Sequence, residues 1–115
     1  MNREKETVVD NRIRRYMAKN LDTNTRINNI ILHKINYYYE LESKRVEESN
    51  EELLSFIDEQ LERLKKEILK LTYNNYKNVI IEDEVFDFLY KTYGSNEDAV
   101  KILDDMKMET TKLKR

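Results

Sequence analysis

Apolar residues recur along most of this chain at steps of three and four, the spacing that gathers them on one side of an α-helix. The clearest run is Leu54, Ile57, Leu61, Leu64, Ile68 and Leu71, at steps of 3, 4, 3, 4 and 3. It predicts a helix over 50–72 with an apolar seam of the coiled-coil type. The seam is under three heptads long, so packing inside a bundle would serve it equally well. Its acids come early (Glu51, Glu52, Asp58, Glu59) and its bases late (Arg63, Lys65, Lys66, Lys70), an order that complements the helix dipole. Upstream, Ile27, Ile30, Ile31, Ile35, Tyr38 and Leu41 make a second stripe and predict a helix over 22–42, capped by Asp22 or Thr23. Within Tyr37-Tyr38-Tyr39 one ring must face the core and two must flank it, because successive helical residues point about 100° apart.

The weaker patterns lie between and beyond these runs. Ser49-x-x-Glu52 is a capping-box signature and predicts a helix restart at Ser49. Residues 73–82 (YNNYKNVIIE) break the seam and read as a loop with a short extended piece at Val79–Ile81. Val85, Phe86, Leu89, Tyr90 and Tyr93 point inward from a helix over 83–93, which Gly94 would end in the left-handed C′ conformation. Ser95-x-x-Asp98 starts a last helix carrying Ala99, Ile102, Leu103 and Met106, and the basic tail from Lys107 is expected to fray.

The N-terminal segment is ambiguous. Val9-Asp10-Asn11-Arg12-Ile13-Arg14 alternates, as a short strand would, with Val9 and Ile13 on one face and Arg12 and Arg14 on the other. A helix starting near Asp10 fits as well, since Ile13, Tyr16, Met17 and Leu21 fall at helical spacing.

Composition narrows the function. The 115 residues include one glycine, no proline and no cysteine. Folds that need glycine at turns and phosphates are excluded, as are disulfides, zinc–thiolate sites and thiol nucleophiles. No motif suggests an enzyme, a cofactor or a metal site, and the single histidine, His33, reads as a rim residue beside the second stripe. No apolar run is long enough for a membrane span, so the expected location is the cytoplasm. Charge is distributed unevenly. Residues 1–36 carry eight bases and four acids, while residues 37–115 carry 13 bases and 19 acids. A basic head on an acidic body suggests that the head meets a polyanion. The helix–Gly94–helix outline of a helix-turn-helix does not supply the reader, because residues 82–105 hold eight acids and two bases and phosphates would repel them. The candidates are therefore Asn11, Arg12, Arg14, Arg15, Lys19 and Arg26, whose arginine forks suit guanine edges and phosphates. The same cluster also reads as a solvated helix face.

A short basic strand followed by amphipathic helices, with Leu21–Glu40 (LDTNTRINNIILHKINYYYE) as the second helix, resembles the ribbon-helix-helix DNA-binding family. With its acidic helical extension the chain is similar to small accessory proteins of plasmid conjugation. The resemblance implies a mostly α chain with a ribbon-helix-helix-like head (one short strand, two helices) at 1–48 and a helical extension at 49–115. It also implies a homodimer that binds double-stranded DNA at an origin-of-transfer-like site and recruits a relaxase or other DNA-processing protein through 49–115. In the register with a strand at Val8–Arg14, Arg12 and Arg14 would face the groove. In the register with a strand ending at Val9, they would lie on a helix near the backbone. Two rivals stand beside this reading: a partition adaptor, and a helical interaction protein that binds no nucleic acid.

Overall fold

The computed structural model describes the backbone of residues 2–114 and the side chains of residues 22–114. It has four helices: α1 (Asn2–Glu47), α2 (Glu51–Asn75), α3 (Asp83–Tyr93) and α4 (Glu97–Lys114).

Among the described residues there is no strand, which overturns the ribbon-helix-helix head. Helix α1 runs through the alternating stretch 8–14 without interruption. The physical reason is backbone hydrogen bonding. A single strand leaves its N–H and C=O groups unpaired unless a second strand meets it, whereas a helix pairs them within the segment. Nothing in α1 opposes the helix, since the chain's only glycine is Gly94 and it has no proline.

α1 and α2 form an antiparallel hairpin across residues 48–50. Two ion pairs bridge it, Lys34 Nζ on Glu67 Oε2 at 3.2 Å and Arg45 Nε on Asp58 Oδ1 at 2.6 Å. α3 and α4 form a second antiparallel hairpin, in which the Tyr90 hydroxyl donates to Asp104 Oδ1 at 2.6 Å. The second hairpin packs on the first through Phe88, whose ring meets those of Tyr38 and Tyr39 edge-on. One core joins both. It contains Ile31, Ile35 and Leu41 of α1, Ile57, Leu61, Leu64 and Ile68 of α2, Val85, Phe86 and Leu89 of α3, and Leu103 and Met106 of α4.

Helix ends depart from the sequence reading in small, explicable ways. The N-cap of α2 is Asn50, not Ser49. Its side-chain oxygen accepts from the N–H groups of Glu52 and Leu53, while the Glu48 carboxylate accepts from its own N–H. At α4, likewise, Asn96 rather than Ser95 accepts from the Ala99 N–H. In each Ser-Asn pair the amide caps, consistent with its strong N-cap preference. Gly94 is right-handed (φ −62, ψ −20), so it does not make the left-handed stop. Glycine suits the position for another reason: a Cβ there would run into the Tyr90 carbonyl oxygen. Nor does the tail fray at Lys107. α4 continues to Lys114, with Thr110 buried and Lys114 Nζ 3.8 Å from Asp83 Oδ1.

The connection between the hairpins begins later than the sequence suggests, because α2 continues to Asn75. Val79 and Ile81 are buried in an irregular strap, entered through a turn in which the Val79 N–H bonds the Asn75 carbonyl, and held by side chains. Asn28 Nδ2 donates to the Ile80 carbonyl at 2.7 Å, and Asn28 Oδ1 accepts from the Glu82 N–H at 2.9 Å. Asn24 Oδ1 accepts from the Ile80 N–H at 3.1 Å, and Thr110 Oγ1 accepts from the Ile81 N–H at 3.2 Å.

Candidate nucleic-acid interface

The core row of α1 is Asn28, Ile31, Ile35 and Leu41, with Ile27, Leu32 and Tyr38 packed against it. This row decides which face of α1 is left to solvent. Ile30, assigned to the stripe by sequence, is 43% exposed, and Tyr37 is 44% exposed. Tyr38 is the core-facing member of the tyrosine triplet.

Arg26 stands on the open face. It lines a shallow surface groove with Asn29, Ile30, His33 and Lys34. Arg26 and His33 are exposed. Lys34 is half-buried and engaged by Glu67, which leaves Arg26 as the basic group of this groove without an ion pair among the described residues. Asp22 also lines the groove and is unfavourable for an anion. The side chains of Asn11, Arg12, Arg14, Arg15 and Lys19 lie outside the described residues, so of the six predicted residues only Arg26 has a described side chain.

The second hairpin carries part of the acidic excess. Glu82, Asp83, Glu84, Asp87, Glu97, Asp98, Asp104 and Asp105 are all exposed. An acidic surface of this kind repels phosphate, which supports treating the α3–α4 hairpin as packing rather than as a reader of DNA. Among the described residues no group of three or more His, Cys, Asp or Glu side chains could hold a metal ion. No described helix is long and apolar enough to cross a membrane.

Three tyrosines hold their protons more tightly than usual, Tyr93 through burial and the Glu62 carboxylate. Tyr38 is pushed up to about 12, first by burial and then by the neighbouring Glu42 carboxylate. Tyr90 is also pushed up to about 12, by burial and by its hydrogen bond to Asp104. All three stay neutral at physiological pH and serve packing.

Sequence reasoning missed the Asn24–Asn28 pair and the burial of Phe88. The signal for the pair was present: positions 24, 28, 31 and 35 are spaced 4, 3 and 4, so two polar residues occupy a core row. Comparison with family models, curated proteins and solved structures found no match.

Proposed function

We propose that this protein is a double-stranded-DNA-binding accessory protein whose basic N-terminal half contacts the duplex and whose acidic helical body engages a protein partner. The observation that carries the reading is the segregation of charge, with a net excess of bases in residues 1–36 and of acids in the remainder. The ribbon no longer supports it. What replaces the ribbon is a helical row. At helical spacing, positions 12, 15, 19 and 26 fall in a sector of about 60°, so Arg12, Arg15, Lys19 and Arg26 make one basic line. Arg14 falls roughly opposite. In a strand Arg12 and Arg14 would share a face; at helical spacing they do not. A line of arginines and a lysine along a helix suits phosphate contacts and guanine edges in the major groove.

The relaxase rests only on the ribbon-helix-helix resemblance, which the fold does not share. Charge complementarity with the acidic body instead suits a protein partner that presents a basic surface. Fluorescence anisotropy of a labelled duplex tests the DNA contact. Arg12→Ala/Arg15→Ala/Lys19→Ala should weaken binding at least about tenfold and flatten its salt dependence, while Arg14→Ala should have much the smaller effect. Equal affinity of the triple variant and the wild type would remove the basic line from the interface.

One observation favours the rival reading, a helical adaptor without nucleic acid. Leu53 (49% exposed) and Phe56 (57% exposed) lie one turn apart on α2 beside Glu51, Glu52 and Glu59. Apolar side chains exposed among acids suit docking of a basic amphipathic helix. Absence of duplex binding at low salt would make this the primary reading.

A further inference from the structure

A groove of about 510 Å³ runs between the C-terminal half of α2 and the start of α4. Its floor is apolar, built from Leu69, Tyr73, Tyr93, Ala99 and Ile102. Two of these are well exposed for their type, Tyr73 at 54% and Ile102 at 44%. The walls are charged with opposite signs. Lys66 and Lys70 stand on the α2 side and Asp98 on the α4 side, all exposed and none ion-paired among the described residues. Asp105, one turn beyond Ile102 on α4, is also exposed.

We propose that this groove is the contact surface for a second copy of the chain, related by a two-fold axis. The argument is self-complementarity. In an isologous interface the same patch meets itself with the axis at its centre. A patch with an apolar middle, a basic wall and an acidic wall satisfies that operation: the lysines of each copy face the acids of the other, and Tyr73 and Ile102 are buried between them. An unrelated partner requires no such balance within one patch. The contact uses no strand and differs from a ribbon-mediated dimer. It is also independent of the DNA reading, since no residue of the basic line takes part.

Sedimentation velocity of the full chain, over a concentration series up to about 100 µM, is the first test, and a dimer is expected. Lys70→Glu and Asp98→Lys should each raise the dimer dissociation constant at least about tenfold, because each places like charges opposite one another. An equimolar mixture of the two variants should dimerise again, because both cross-contacts then join opposite charges. Both positions are exposed, and helix content by circular dichroism should be unchanged in each variant. A wild-type chain that stays monomeric throughout the series, a dimer that survives both substitutions, or a mixture that fails to recover would each overturn the proposal.

Discussion

Asn28 occupies a position in the α1 core row where spacing calls for an apolar side chain, and it is 2% exposed. Its amide serves the Asn24 carbonyl of its own helix and two backbone groups of the strap, the Ile80 carbonyl and the Glu82 N–H. Leaving buried backbone groups unpaired costs about 1–3 kcal/mol each. Asn28→Ala should therefore lower stability by about 3 kcal/mol in a denaturant titration. Asn28→Leu should not restore it, because the lost groups are polar. The tyrosines make a second prediction at this scale. Tyr38 and Tyr90 hold their protons to about 12, against an ordinary value of 10.0. The unfolded chain ionises them first, so the stability they contribute is whole below about pH 10 and is lost as pH rises toward about 12. Phenolate absorbance should show a late step near pH 12, and Tyr38→Phe/Tyr90→Phe should shrink it, leaving the raised ionisation of Tyr93.

At the scale of elements, legibility followed the strength of the local signal. The α2 seam was readable because its steps never break. Ile57, Leu61, Leu64 and Ile68 are buried, and the end members Leu54 and Leu71 are partly so. The bounds of α3 were readable because Asn-rich sequence precedes it and glycine follows. The strand was not settled by sequence, because a six-residue alternation is too short to compete with uninterrupted helical spacing on both sides. Strap and clamp were missed for a different reason: their bonds join residues 52 to 56 positions apart, and no local pattern encodes such a pairing. Of the candidate site, the sequence supplied the charges but not the face, which becomes legible only once Ile30 is seen to be exposed and Asn28 buried. The caps give a sharp check. Asn50→Ala and Asn96→Ala should each cost about 1 kcal/mol. Ser49→Ala and Ser95→Ala should cost little, since neither hydroxyl makes a bond among the described residues. Thermal melts of the four variants would separate the pairs.

At the scale of the whole molecule, one core joins two helical hairpins, and the excess of acids in residues 37–115 is spread over both. Two surfaces carry the proposals made above: the basic line for duplex DNA and the α2–α4 groove for a second copy. The first is central. Its most direct test is the affinity of the wild-type protein for a mixed-sequence duplex measured at several salt concentrations. Four phosphate contacts predict a slope of log affinity against log salt of about −3 to −4 per chain. No binding at low salt, or binding indifferent to salt, would contradict the account.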